Sequence, residues 1–359
     1  MFYRENGQFN TTYAADMAVF PIRQDRIGLA LILGVAAIGV PLFGNSFFIS
    51  SVMIPFLVYS LATIGLNILT GYTGLISLGT GAFMGVGAFA CFKLTTAFPN
   101  VNIIFWILAS GFFSAAIGML FGLPSLRVKG FYLAVTTLAA QFFLQWCFIR
   151  IPWLYNDSSS GAIEVARRTL FGFPITGAEA SATTRYLVLL GIVVFMTWIA
   201  SNIVHGRIGR SWMAVRDMDI AAELMGIRLL PTKLTAFAVS SFYAGVAGAC
   251  MMFLWYGGGE ANDVFNINQS FNILFMVILG GLGSLVGSFM GAAFISSLPT
   301  IFKFGLPAIG INIGGATAEH LTFMVVGALI VIFLIAEPHG LARLWQITKE
   351  KLRLWPFPH

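Results

Sequence analysis

Charge is scarce in this chain: Asp, Glu, Lys and Arg make up 9% of its 359 residues, against about 25% in an ordinary soluble domain. A chain this poor in charge cannot cover a water-facing surface, so a soluble globular protein is excluded. Cysteine is nearly absent. Cys91, Cys147 and Cys250 each lie in an apolar run and none forms a CxxC, so there is neither a disulfide framework nor a thiolate metal cluster. They read as small buried hydrophobes. The four histidines, His205, His320, His339 and His359, are scattered, and no His-Glu-x-x-His occurs. His205 and His339 fall at span ends, where a positive ring favours a helix C-terminus. No Gly-x-x-x-x-Gly-Lys-Ser/Thr loop and no Gly-Lys pair is present, so the chain carries no phosphate cradle of its own. The sequence therefore offers no catalytic set, no metal site and no cofactor site, and no solvated basic face for nucleic acid.

What is present is hydrophobic length. Hydrophobic residues make up 58% of the chain, and charge-free runs extend from Ile27 to Phe92, Leu94 to Leu126, Gly130 to Ile149, Tyr186 to Val204, Leu234 to Gly259, Val264 to Phe302 and His320 to Ala336. A helix needs about 20 mostly apolar residues to cross the hydrocarbon core, and inside lipid the backbone must satisfy its own hydrogen bonds. Continuous runs exclude the ten-residue alternation of a membrane β-barrel. The expectation is an all-α polytopic membrane protein of about 8–10 transmembrane helices. Ten candidates run over 28–43, 47–70, 74–96, 103–122, 131–152, 185–204, 234–256, 266–281, 284–302 and 320–336, split at turn signals such as Gly71-Tyr72-Thr73-Gly74 and Gly280-Gly281-Leu282-Gly283. The first and eighth are short enough to be tilted, broken or re-entrant.

Lys and Arg set the orientation. With the N-terminus inside, the segments 1–26, 123–130, 205–233 and 337–359 are cytoplasmic and hold fourteen of the twenty basic residues. Both termini are then cytoplasmic, and the +6 net charge reads as this bias. Residues 1–26 form a mixed-polar cytoplasmic tail with no cleavable signal pattern, 27–342 the membrane domain, and 343–359 a cytoplasmic C-terminal tail. Residues 153–184 and 257–265 are outside loops.

Residues 209–227 read as one cytoplasmic helix of about four turns, with Ser211 capping its start and Gly226 at its C-cap. Met213, Ile220 and Leu224 fall on one stripe; Arg216, Asp219 and Glu223 fall on another. Ala221 and Ala222 permit close approach. Such a helix suits docking into a protein groove or rest on the membrane surface. Within the spans, buried charge is almost missing, which argues against a proton- or sodium-coupled transporter. Asn67, Gln141 and Asn272 are polar candidates for a translocation path; the same side chains suit bonds between helices. One internal similarity stands out. Asn67-Ile68-Leu69 followed by Gly81-Ala82-Phe83-Met84-Gly85 matches Asn272-Ile273-Leu274 followed by Gly287-Ser288-Phe289-Met290-Gly291, at offsets of 205 and 206 residues. Glycine spacing such as Gly79-x-Gly81-x-x-x-Gly85-x-Gly87 lets helices approach closely.

Arg216-Asp217, Ala221-Ala222-Glu223, Gly226-Ile227 and Lys233 together resemble the cytoplasmic coupling segment of branched-chain amino acid ABC transporter permeases of the LivM-like branch. Gly65-Leu66-Asn67 through Gly79, Leu126-Arg127-Val128-Lys129-Gly130-Phe131 and Gly280-Gly281-Leu282-Gly283-Ser284 resemble other stretches of that family in the same order. Glu337-Pro338-His339-Gly340-Leu341 resembles its tail, where Arg-Pro-x-Gly-Leu is expected. The resemblance implies a type II (vitamin-B12-importer-like) permease fold in a bacterial inner membrane, surrounded by lipid. It implies a second related permease, two ATP-binding subunits that hold the ATP, and a periplasmic solute-binding protein. Arg216, Asp217, Asp219, Ala221, Ala222, Glu223 and Gly226 would then contact the ATPase. One departure bears on the solute. The outside loop has Asp157-Ser158-Ser159-Ser160-Gly161-Ala162 where the family carries Thr/Ser-Gly-Gly-x-x-Gly. Urea, short amides and aromatic or alicyclic carboxylates therefore stand beside branched-chain amino acids as solutes.

Overall fold

The computed structural model describes residue 12 and residues 23–126, 132–158, 162–170, 173–177, 179–305, 315–336 and 340–354. Most of the N-terminal tail, the inner loop after Leu126 and the Glu337-Pro338-His339 motif lie outside the described residues. Each of the ten expected spans corresponds to a helix. These are α1 (Arg26–Phe43), α2 (Ser46–Thr73), α3 (Thr80–Ala97), α4 (Ile103–Ser125), α5 (Tyr132–Arg150), α6 (Ala182–His205), α9 (Leu229–Tyr256), α10 (Ile267–Gly280), α11 (Leu285–Phe304) and α12 (Gly315–Ala336). The short helices α7 (Arg207–Asp217) and α8 (Asp219–Leu224) lie between α6 and α9, and α13 (Gly340–Leu354) ends the described chain. Seven of these helices, α1, α2, α4, α5, α6, α9 and α11, are both long and apolar enough to cross a membrane. The chain is thus a helical, multi-pass membrane protein.

α9 is the centre of the bundle, with 83% of its apolar window buried. Small residues on three neighbours bring their backbones against it. Gly65 of α2 lies against Tyr243 and the Ser240 carbonyl, Gly87 of α3 against Gly245, and Gly118 of α4 against Ser241. A Cβ at Gly248 would strike the Met84 carbonyl. With lipid outside and no hydrophobic drive between helices, this close van der Waals approach holds the bundle together. Tyr243 adds a hydrogen bond from its hydroxyl to the Met196 carbonyl on α6 at 2.7 Å.

Two spans differ from their expected form. The third, expected from residue 74, starts at Thr80: Gly74 ends α2 with φ +74°, and the next residues are not helical. The eighth, α10, has 14 residues, or about 21 Å at 1.5 Å per residue, short of a hydrocarbon core of about 30 Å. α3 begins inside the bundle, whereas α10 begins at half-buried Ile267. The start of α3 leaves amide donors without helical partners, and side chains from other helices supply them. Leu78 N–H donates to Thr137 Oγ1 at 3.0 Å, Gly81 N–H to Ser270 Oγ at 2.8 Å, and Ala82 N–H to Gln141 Oε1 at 2.7 Å.

The loop after α5 packs over one end of the bundle. Strand β1 (Ala162–Glu164) pairs antiparallel with β4 (Gly258–Glu260) at the end of α9, and β2 (Thr169–Leu170) pairs with β3 (Phe173–Pro174). Arg168 donates to the carbonyls of Thr95 and Pro99, so the loop clasps the C-terminal end of α3.

Candidate functional site: helices α7 and α8 and the buried polar nodes

The segment expected as one four-turn helix is two helices with a break at Met218, whose backbone is extended at φ −158° and ψ 96°. Ser211 does not cap a start. It lies inside α7, and its hydroxyl donates back to the Arg207 carbonyl at 3.0 Å. Gly226 does end the segment. Its φ of +87° is a left-handed conformation that a side chain disfavours, and Ile227 N–H donates to the Ala222 carbonyl at 3.0 Å across it. The break separates the expected apolar stripe. Met213 is half-buried, whereas Ile220 and Leu224 are 70% and 85% exposed.

The two helices have different tasks. α7 grips the bundle. Trp212 is fully buried, and its indole N–H donates to Thr235 Oγ1 on α9 at 3.3 Å. Arg216 pairs with its neighbour Asp217 at 2.9 Å and donates through a second guanidinium nitrogen to the Gly71 carbonyl at the end of α2, at 2.8 Å. α8 has one buried residue, Ala222, with Ala221 half-buried and Asp219 half-exposed. Its remaining face, Ile220, Glu223 and Leu224 with Met218 and Met225 on either side, is open. The free side of α8 is thus open and, apart from Glu223, apolar. Between these helices and the ends of α2 and α5 lies an open cavity of about 510 Å³, lined by Thr73, Leu133, Arg216, Asp217 and Lys233 among others. Trp212 is the anchor that periodicity missed; a lone tryptophan among charged residues was the available signal.

Of the polar candidates, Asn67 and Gln141 are wholly enclosed and their groups are taken up. Asn67 Nδ2 donates to the Ser284 carbonyl and to Ser288 Oγ, both at 2.8 Å, and its Oδ1 accepts from Gly283 N–H at 2.9 Å. It therefore ties the turn before α11 to α2, while Ser284 caps α11 by accepting from Gly287 N–H. Gln141 Oε1 accepts from Ala82 N–H and from Ser270 Oγ, and its Nε2 donates to the Phe265 carbonyl at 2.9 Å. It joins the starts of α3 and α10. Asn272 is half-buried and makes no side-chain hydrogen bond among the described residues. The structure thus does not bring the three together. Asn67 does connect to α7: a Cβ on Gly71 would meet both Asn67 Oδ1 and the Gly283 backbone, and Gly71 is the residue whose carbonyl Arg216 holds.

Residues 48–334 match the sequence profile of the family described as "Branched-chain amino acid transport system / permease component". The chain belongs to that family. Its members are permease components of transport systems, so this permease is a transport subunit that works beside other subunits, and not an enzyme. It is 27% identical over 321 residues to the high-affinity branched-chain amino acid transport system permease LivM of Salmonella typhimurium, covering 83% of this chain and 70% of the relative. The LivM of Escherichia coli is 28% identical over the same shares. The fructose import permease FruG of Bifidobacterium longum is 25% identical, covering 83% of this chain and 86% of its own. No solved structure matches the chain.

Proposed function

We propose that this permease is one membrane subunit of an ATP-binding-cassette importer in a bacterial inner membrane, with residues 27–342 as its membrane domain, both termini cytoplasmic, and branched-chain amino acids as its solutes. The fold is of the type II, vitamin-B12-importer-like class. A second related permease completes the translocation path, two ATP-binding subunits supply the energy, and a periplasmic solute-binding protein delivers the solute. The observation that carries the reading is the division between α7 and α8. Trp212 and Arg216 fasten α7 to α9 and α2, while Ile220, Leu224 and Met225 stand exposed for a nucleotide-binding partner. Closure of the ATP-binding subunits moves α8. The Arg216 bond carries that movement to the end of α2 and, through Gly71 and Asn67, to the turn between α10 and α11. The permeases then alternate between outward and inward access. In this reading Asn67 and Gln141 hold helices in place, and Asn272 faces the path.

The solute rests on the LivM relatives, and the fructose name of FruG marks how widely solutes vary among relatives. The departure at Asp157–Ser158 keeps urea, short amides and aromatic carboxylates as the second reading. One experiment tests both parts. Uptake of labelled leucine, urea and benzoate is measured with ATP hydrolysis in the reconstituted importer, for wild type, Glu223→Lys and Gly226→Leu. Leucine uptake in the wild type, with hydrolysis kept and uptake lost in the variants, is expected. Urea or benzoate uptake instead moves the solute; wild-type uptake in both variants removes the coupling role of α8.

A further inference from the structure

α13 follows the last span, α12, after three residues, so it starts where the chain leaves the membrane. Its first residue is pinned. Gly340 has φ +68°, and a Cβ there would strike the Leu279 carbonyl and the Gly281 backbone. Ala342, 7% exposed, continues that contact along α10 and α11. One edge of α13 is therefore spoken for by the turn between α10 and α11, the same turn whose Gly283 lies beside Arg216. α13 thus sits on the same side of the bundle as α7 and α8.

The other edge is uncovered and amphipathic. Leu344 and Trp345 are 41% and 52% exposed, side by side, one turn after the anchored start. Two cations of this helix, Arg343 and Lys351, are exposed. Neighbouring helix faces that are apolar with an aromatic ring and cationic with long side chains match a membrane interface. The ring sits at headgroup depth, while the lysine and arginine stems lie along the apolar boundary and place their charges among phosphates. The excess of positive charge selects an anionic surface. An all-apolar docking face would not need it, and a helix simply solvated by water would not expose Trp345 beside Leu344.

We propose that α13 is an interfacial helix that lies in the headgroup layer and takes anionic phospholipid, anchoring the α10–α11 turn to the membrane surface. The inference stands apart from the transported solute and from the docking of ATP-binding subunits.

The test uses the full-length permease in nanodiscs of phosphatidylcholine with 30% phosphatidylglycerol on the order of a cellular anionic fraction. Either lipid carries brominated chains in turn. The protein has eight tryptophans, so the Trp345 signal is taken as the difference between wild type and Trp345→Phe. Quenching of that difference by brominated lipid is expected, stronger with brominated phosphatidylglycerol. An Arg343→Glu/Lys351→Glu variant should reduce that preference about tenfold, as the loss of two surface cations predicts, while the other tryptophans stay as they are. High salt should reduce it in the same direction. No quenching by either lipid overturns the interfacial placement. Equal quenching by both overturns the anionic preference. Quenching that vanishes when ATP-binding subunits are added identifies the face as a protein contact and overturns the proposal.

Discussion

Two helix–turn–helix units of this permease share a sequence pattern and differ in what they pack against. In α2–α3 and α10–α11, an asparagine on the first helix is followed by glycines at the start of the second: Asn67 with Gly81 and Gly85, then Asn272 with Gly287 and Gly291. In α10–α11 the glycines serve a tight hairpin. A Cβ on Gly287 would strike the Gly280 carbonyl, and one on Gly291 the Met276 carbonyl, so the two helices lie backbone against backbone. In α2–α3 the extended residues after Gly74 splay the pair, and α9 packs against both helices. There Gly85 faces the Phe148 ring and Gly81 the Ser270 hydroxyl. The same small residues thus admit a partner helix in one unit and a foreign side chain in the other. A glycine pattern specifies close approach, and the length of the turn decides what approaches.

The sharpest way to break this comparison is to add one methyl to each unit. Gly291→Ala forces carbonyl and backbone atoms apart and should cost about 3 kcal/mol, the upper end for overpacking. Gly85→Ala meets a ring that can turn and should cost about 1 kcal/mol. Thermal unfolding of the purified permease in detergent reads both. An equal loss in the two variants would mean that the hairpin is not the more tightly determined unit.

The asparagines divide the units a second time. Asn67 makes three hydrogen bonds across to the α10–α11 turn. Truncation to alanine leaves the half-buried Gly283 amide without its acceptor, a penalty of about 1 kcal/mol. Asn67→Ala should therefore lower the unfolding temperature clearly. Asn67→Asp, which keeps the acceptor and buries a charge, should not restore it. Full recovery in the aspartate variant would show that the Gly283 bond alone carries the stability.

Much of this architecture was legible before any coordinates. Charge-free runs located the ten helices, seven of them long and apolar enough to cross a membrane, because lipid demands length and apolarity and little else. Gly226 announced the end of α8 because few residues tolerate φ +87°. The break at Met218 was not legible. Arg216, Asp217, Asp219 and Glu223 all tolerate a continuous helix, and no local signal marks the extended backbone at Met218. The roles of Asn67 and Gln141 were equally hidden. An isolated polar residue in an apolar span has the same local signature whether it caps a helix start or lines a path. Only the arrival of Gly283 and Ala82, 216 and 59 residues away in sequence, decides the matter.

Asn272 provides the smallest expected effect on stability and the finest distinction. It holds the position in α10 that Asn67 holds in α2, yet it is half-buried and has no side-chain hydrogen bond among the described residues. With no buried partner to orphan, Asn272→Ala should change stability by no more than about 0.5 kcal/mol. If Asn272 faces the translocation path, the same variant should alter the concentration at which leucine uptake is half-maximal while unfolding stays at the wild-type temperature. A stability loss matching that of Asn67→Ala would instead make the two units equivalent in their polar bonding. Unchanged uptake and unchanged stability together would remove Asn272 from the path and leave that face of α10 to lipid or to the second permease.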